Sequence, residues 1–313
     1  MIKFAMNNLW LKNPSLAYAD WQGRESAGTD QRRFAQQSIV QHRAMLDRFQ
    51  RHLVAHGVTL EDFDPDHIEA FWRDPEAATY TSATRMRYLQ LLDRLCRHLV
   101  EIGVRETNPA ADPARDGSWS SDGAVPLFLP EEVDARLQDF VQPLEGDDVS
   151  RLRMRAILAL FLGAGVTAAE GRGATIPDLH TSCTSSFLSV PEGRAKVARS
   201  VQLEPFAVPA LDAWKVRRAT LPIAGDLLFA LRPSGTPITD MSLGNIVRDA
   251  FEAIDYRAAD MSPRILRNTY CRRALLAGVP RDRVSERLGL TSNHTCDRML
   301  ATIPGPADRR LSA

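Results

Sequence analysis

A run of helix-breaking residues at positions 108–126 constrains the fold of this chain more than any other feature. The run holds three prolines, two glycines and few large apolar residues, a composition typical of a linker. A chain of 313 residues is long enough for two domains that each bury a core. We therefore expect one domain over residues 31–107, a linker over 108–126 and a second domain over 127–303.

The segment before the linker has the apolar spacing of amphipathic helices. Apolar residues recur mostly every three or four positions over 34–58 and again over 82–103, which is the period of one helix face. A short helix between them would be capped by Asp64 or Asp66. We expect a compact helical domain, preceded by an N-terminal extension over residues 1–30, which show no sustained period.

The segment after the linker combines helices with one hairpin. Residues 151–162 are apolar almost all round, as expected for a buried central helix. Phe187–Val190 and Val197–Leu203 flank a glycine-containing turn and predict antiparallel strands. Helical patterns follow over 210–219, 243–254, 264–277 and 281–288. The expected fold class is mostly α, with a helical first domain, an α+β second domain that holds a small antiparallel sheet, and a tail over 304–313.

Composition excludes several classes of protein. No stretch approaches the length of an apolar membrane span, and the first residues lack the pattern of a secretory signal, so we expect a cytoplasmic protein. The four cysteines form no C-x-x-C pair, which argues against a metal site and a disulfide framework, and we expect no metal and no small-molecule cofactor. Because 39 basic and 39 acidic residues cancel, any attraction to nucleic acid must come from local patches.

Several short strings, taken in order, resemble one known family. Ser82-Ala83-Thr84-Arg85-Met86-Arg87 opens a long helix, and Leu127–Val133 opens the second domain. Gly163-Ala164-Gly165-Val166-Thr167-Ala168-Ala169-Glu170 and the segment Pro263–Gly289 follow. In order and spacing, residues 34–303 resemble the tyrosine recombinases, or phage integrases. The resemblance implies a SAM-like core-binding domain followed by the recombinase catalytic fold.

The resemblance also implies a set of catalytic positions, and most of them have changed here. Family members cut DNA through a tyrosine nucleophile, two arginines that neutralise phosphoryl charge, and a lysine and histidines that move protons. The first arginine is replaced by Thr167 and the lysine by Arg194, with Lys196 two residues further on. Arg264 stands in place of a histidine, while Arg267 keeps the second arginine. Acid–base capacity is thus lost where positive charge remains.

The last two catalytic positions of the resemblance are apolar in this chain. Leu290 replaces a histidine or tryptophan, and Met299 falls at or beside the tyrosine. None of the five tyrosines lies after residue 270. Cys296, Ser292 and His294 lie near the lost tyrosine as alternative nucleophiles, but a lone cysteine or histidine near a chain end is usually structural. We therefore expect a relative of an enzyme rather than an enzyme.

Positive charge is concentrated around these lost catalytic positions. Residues 248–310 hold twelve arginines against eight acidic residues. The resemblance makes the following residues candidates for DNA contacts in the second domain: Arg194, Lys196, Arg264, Arg267, Arg272 and Arg273. In the first domain it does the same for Thr84, Arg85 and Arg87. The alternative is that these arginines form solvated faces or internal ion pairs, which is an equally good reading of Arg272 and Arg273.

Three functions remain open from the sequence. The leading hypothesis is a catalytically inactive protein that grips double-stranded DNA and serves as an accessory or regulatory factor for recombination or maintenance of a mobile element or plasmid. Its other partners would be further copies of itself or an active recombinase. The second hypothesis is an active recombinase with a non-standard nucleophile or one supplied in trans. The third is a protein-interaction scaffold, which the zero net charge permits.

Overall fold

The computed structural model describes residues 9, 10, 12–24, 26, 27, 32–34, 36–112, 125–181, 185–192, 197–230, 232–258 and 260–303. The chain forms two compact units, Met1–Ala124 and Val125–Ala313. The division falls inside the stretch of helix-breaking residues. Within the described ranges, no helix has both the length and the apolarity needed to cross a membrane.

The first unit is helical apart from one short strand pair. Its elements are α1 (Pro14–Arg24), β1 (Ser26–Ala27), β2 (Arg32–Arg33), α2 (Gln36–Ala55), α3 (Pro65–Arg73), α4 (Pro75–Ala78) and α5 (Ser82–Glu101), with β1 and β2 antiparallel. Asp64 caps α3 by accepting a hydrogen bond from the His67 backbone N–H at 3.2 Å. Thr81, one residue before the expected start, caps α5.

The N-terminal residues belong to the core of this unit, although the sequence suggested an extension over residues 1–30. Trp10, Tyr18 and Trp21 are buried and pack with the side chains of α2, α3 and α5. Three large aromatic side chains bury enough surface to dock a short segment without a regular apolar period. The guanidinium of Arg94 on α5 lies 5.5 Å from the Trp21 ring.

The second unit packs helices around a small antiparallel sheet. Its elements are α6 (Glu131–Phe140), α7 (Val149–Ala164), α8 (Ala168–Gly173), β3 (Leu179–His180), β4 (Phe187–Val190), β5 (Arg199–Gln202), α9 (Val208–Ala219), α10 (Asp240–Ala253), α11 (Pro263–Leu276), α12 (Arg281–Leu288) and α13 (His294–Leu300), with 3₁₀ turns at Ile176–Asp178 and Pro205–Ala207. The strand order is β3-β4-β5, and Leu188 lies opposite Leu179 and Val201. The expected fold class, mostly α with a small antiparallel sheet, is confirmed.

Helix α7 is the centre of the larger core of this unit. It is buried without interruption from Arg155 to Ala164, and it ends at Gly165, whose φ of 59° is left-handed. A Cβ on Gly165 would collide with the ring of Tyr270 on α11. This close approach brings the end of α7 against α11, and it fixes where α8 begins.

A second, smaller core lies among α11, α12 and α13. Its buried members are Tyr270, Cys271, Ala274, Leu275, Val284, Leu288, Cys296 and Met299. Leu290 and Phe128 pack against it from the side. The C-terminal helix α13 is therefore held to the unit mainly by apolar contacts and by two thiols.

Candidate nucleic-acid interface

Thr167, in the place of the first arginine of the resemblance, is a helix cap. Its hydroxyl oxygen accepts a hydrogen bond from the Glu170 backbone N–H at 3.2 Å. In return, the Glu170 carboxylate accepts from the Thr167 N–H at 2.8 Å. This reciprocal capping box starts α8, and it turns the Glu170 side chain into the interior.

Glu170 is the anion of a buried charge cluster with two arginines. Arg199 donates to both carboxylate oxygens, at 2.8 and 3.0 Å, and its Nε donates to the Arg287 carbonyl at 2.8 Å. Arg267 donates to the carbonyls of Gly165 and Leu288, at 2.5 and 2.7 Å. Its Nη1 lies 4.0 Å from the carboxylate of Glu170. We call Glu170, Arg199 and Arg267 the internal charge cluster.

The cluster shifts the titration of its own members. Burial opposes ionisation of Glu170, but hydrogen bonds from Arg199 and the Thr167 N–H, together with the charges of Arg199 and Arg267, outweigh it and lower the pKa of this carboxyl. Burial also lowers the pKa of Arg267, although a guanidinium stays protonated at any physiological pH. The cluster therefore holds two positive charges and one negative charge inside the fold.

Two of the four α11 arginines that the sequence singled out, Arg264 and Arg267, differ in exposure. Arg267 exposes 15% of its side-chain surface. Its guanidinium donates a hydrogen bond to the Gly165 carbonyl at the end of α7. Arg264, in the first turn, is 72% exposed and lies 3.4 Å from Asp260. Of the pair, only Arg264 is placed to reach an outside ligand with most of its donors.

Arg272 and Arg273 face the protein interior, which favours the alternative of internal partners. Arg273 makes a two-pronged pair with Asp134, both distances being 2.8 Å. The Arg272 guanidinium stacks over the Phe128 ring at 4.4 Å. We do not carry either residue into the DNA surface proposed below.

The positions around Met299, where the resemblance places the family's tyrosine, offer little to a substrate. Met299 is fully buried, and Leu290 packs beside the same core. Cys296 is also fully buried, and its sulfur accepts a hydrogen bond from the Ser285 hydroxyl at 3.2 Å and lies 3.9 Å from the Cys271 sulfur. Burial raises the pKa of the Cys271 thiol to about 12. Ser292 and His294 are exposed.

The remaining candidates lie at undescribed, partly buried and exposed positions. Arg194 and Lys196 lie outside the described residues, between β4 and β5. In the first unit, Thr84 is bound into the cap of α5, its hydroxyl 3.1 Å from that of Thr81. Arg85 donates to the Ala78 carbonyl at 3.2 Å and lies 5.7 Å from the Trp72 ring. Arg87 is exposed.

Three of the catalytic positions that the resemblance implies line one open cleft. Thr167, Arg264 and Arg267 face a space of about 710 Å³ whose opposite wall is α10. Arg248 on α10 lines the same cleft and is exposed, and its Nη1 donates a hydrogen bond to the Asn245 Oδ1 at 3.1 Å. Arg248 was not among the DNA-contact residues predicted from the sequence. Arg248 lies four residues after Gly244, so both residues are on one face of α10. No nearby sequence pattern indicates that this face lies opposite Arg264 on α11.

Comparisons with known proteins agree with this architecture. Residues 29–103 match the model of the phage integrase N-terminal SAM-like domain. Tyrosine recombinase XerC of Neisseria meningitidis serogroup C is 28% identical over 214 residues, which span 68% of this chain and 66% of that protein. Tyrosine recombinase XerC of Roseiflexus castenholzii is 26% identical over 275 residues, 85% of this chain and 83% of that protein. The chain thus spans just under two thirds of the first of these relatives.

Solved structures show the same fold at lower identity. XerH site-specific recombinase bound to palindromic difH substrate has a TM-score of 0.76 at 17% identity, over 95% of this chain and 84% of that one. The Tn1549 transposon integrase in complex with a circular intermediate DNA has a TM-score of 0.70 at 14% identity, over 89% and 93%. The fold is that of site-specific recombinases and transposon integrases. Together with the sequence relatives, these matches support a relationship to the tyrosine recombinase family.

Proposed function

We propose that this chain is a double-stranded-DNA-binding member of the family that does not cleave DNA. It would act in the cytoplasm as an accessory or regulatory factor for recombination or maintenance of a mobile element or plasmid. One observation carries the proposal: Met299, which the resemblance places at or beside the family's tyrosine, is fully buried in an apolar core. A thioether in that place cannot attack a phosphodiester.

Loss of the other catalytic groups supports the same conclusion. Removal of one preorganised donor to a developing charge lowers a rate by about a hundred- to a thousandfold, and Thr167 has no charge to offer. Arg267 keeps its charge, but two backbone carbonyls and the Glu170 carboxylate share it. Arg267 therefore stabilises the fold rather than the charge of a transition state.

Affinity for DNA rests on the exposed cations and on the relatives. The XerH and Tn1549 integrase neighbours are complexes with DNA. In this chain Arg248 and Arg264 line one cleft, and Arg87 is exposed on α5. Phosphate contacts of this kind release counterions, so binding falls with salt by a slope of about 0.9 per phosphate in a double-logarithmic plot.

Equilibrium binding to duplex DNA that flanks the gene of this protein, measured by fluorescence anisotropy from about 50 to 200 mM salt, tests the proposal. Arg264→Ala and Arg248→Ala should each weaken binding and reduce the salt slope by about one. Arg217→Ala, an exposed arginine on α9, is the matched control and should change neither quantity. Arg267 is unsuitable because its loss would disturb the internal charge cluster. Salt-independent or absent binding would remove DNA from the function and favour a protein scaffold.

Trapping on suicide substrates tests the lack of cleavage. We expect no covalent protein–DNA adduct with the cognate duplex, whether the chain is alone or mixed with an active recombinase. A covalent adduct on this chain would establish an active recombinase, and mapping it would decide whether Ser292, His294 or Cys296 supplies the nucleophile.

A further inference from the structure

The walls of the cleft between α8, α10 and α11 are apolar. Ala168, Met261 and Pro263 form the accessible apolar surface, over the buried side chains of Val166 and Leu243, with charged side chains among them. Its volume of about 710 Å³ lies in the range of small-molecule sites, which combine apolar walls with a few placed polar groups. A phosphate alone would leave these walls in contact with water. The walls fit a flat, weakly polar body such as a nucleobase.

A glycine in the middle of α10 keeps this cleft open. Gly244 lines it, and glycine inside a helix costs about 1 kcal/mol relative to alanine. The backbone of Gly244 does not adopt a left-handed (positive φ) conformation. A Cβ there would meet no atom of the described residues within 4 Å. Since neither backbone geometry nor close packing calls for glycine here, the free space itself accounts for it.

The charge on the cleft selects an anionic group. Arg248, Arg264 and Arg267 line it, against Asp240 and Asp260. Asp240 is paired outward with Arg172 at 2.7 Å, and Arg267 is held in the internal charge cluster. The exposed guanidiniums of Arg248 and Arg264 are therefore the groups available to a phosphate next to the apolar walls.

We propose that this cleft binds one unstacked nucleotide, with its base between the apolar walls and its phosphate against Arg248 and Arg264. The chemical class is a nucleoside monophosphate unit, which is either a nucleotide displaced from a DNA strand or a free nucleotide. The first source rests on the DNA binding proposed above. A base inside a paired and stacked duplex cannot enter the cleft, so the cleft distinguishes unpaired from paired nucleotides.

Two matched duplexes test the inference. Anisotropy is measured with a fully paired duplex and with the same duplex carrying one unpaired adenosine, each in the presence and absence of adenosine monophosphate. We expect the unpaired adenosine to raise affinity about tenfold, the gain from removing the face of one base from water, and we expect the free nucleotide to abolish that gain. Binding of free adenosine monophosphate with no preference for the bulged duplex would assign the cleft to a free nucleotide.

A substitution that fills the cleft gives the decisive test. Gly244→Leu occupies open space and places a better helix former in α10, and thermal unfolding checks that it folds. It should reduce affinity for the bulged duplex to that for the paired one. Ala253→Leu adds the same side chain to an exposed position of the same helix, away from the cleft lining, and should leave the preference intact.

The outcomes separate this inference from the proposed function. Equal binding of both duplexes, with no nucleotide binding, would overturn the nucleotide cleft and leave DNA binding in place. A preference that survives Gly244→Leu would also overturn it, because the base would then lie elsewhere. Failure to bind either duplex or the nucleotide would overturn both proposals.

Discussion

Glu170 is the residue on which the interior of the second unit depends most. It holds the two-pronged pair with Arg199 and faces Arg267 from within the fold. We expect Glu170→Gln to lower the free energy of unfolding by about 3–5 kcal/mol, because removal of one partner leaves buried charge uncompensated. Urea denaturation measures this. Glu252→Gln, at an exposed position of α10, should stay within about 0.5 kcal/mol, and a similarly small effect for Glu170→Gln would contradict the role of the cluster.

The same carboxylate gives the fold a pH dependence of known sign. The pKa of Glu170 is lowered in the folded chain, whereas an unfolded glutamate titrates near 4.3. Its stabilisation is therefore complete above that value and is lost as pH falls through the lower folded pKa. We expect the unfolding free energy of the wild-type chain to fall more steeply below about pH 4 than that of Glu170→Gln. Parallel curves would mean that the pKa of Glu170 is not lowered by folding.

Sequence reasoning at this scale located positions but not partners. The resemblance aligned Thr167 with the family's first arginine and Met299 with its tyrosine. Such an alignment uses only the order of residues along the chain. The bond between Arg199 and Glu170 joins residues 29 positions apart, and only the tertiary fold of the second unit brings them together. The local arginine surplus over residues 248–310 therefore overstated the charge open to a ligand, because Arg267 and Arg273 bind internal acceptors.

At the scale of elements, two glycines in neighbouring helices have opposite reasons to be glycine. Gly165 ends α7 at φ 59° and touches Tyr270, whereas Gly244 lies inside α10 beside open space. We expect Gly165→Ala to destabilise by about 2 kcal/mol or more through backbone strain and a clash. Gly244→Ala should stabilise by about 0.5–1 kcal/mol through helix propensity. Thermal or urea unfolding of the two variants gives the comparison, and losses of similar size would show that α10 needs its glycine for structure.

Element boundaries followed the sequence closely where caps and breakers mark them. Pattern predicted helices over 264–277 and 281–288, and α11 and α12 occupy Pro263–Leu276 and Arg281–Leu288. The start of α10 lies three residues before the expected Leu243, because Thr239 accepts a hydrogen bond from Ser242 and caps it earlier. Helix α1 escaped prediction since its contacts come from aromatic side chains without a helical period.

At the scale of the whole molecule, each unit has its own core. The division between the units falls within residues 108–126, the segment that the sequence predicted to be a linker. If both units contact DNA, the linker turns the second contact into an intramolecular event at an effective concentration of the order of millimolar. We expect the full chain to bind its duplex about a hundredfold or more tighter than either residues 1–124 or residues 125–313 alone. Anisotropy at one fixed salt concentration measures all three, after circular dichroism has confirmed that each piece is folded.

An equimolar mixture of the two pieces is the control for this gain. The mixture contains every contact of the full chain but no covalent link, so it should bind only as tightly as the stronger piece. If residues 125–313 alone matched the full chain, the first unit would contribute nothing to affinity, and Arg87 and its neighbours on α5 would have no part in DNA recognition. If the mixture matched the full chain, the two units would associate without the linker, and the affinity would come from a contact between them rather than from chain connectivity.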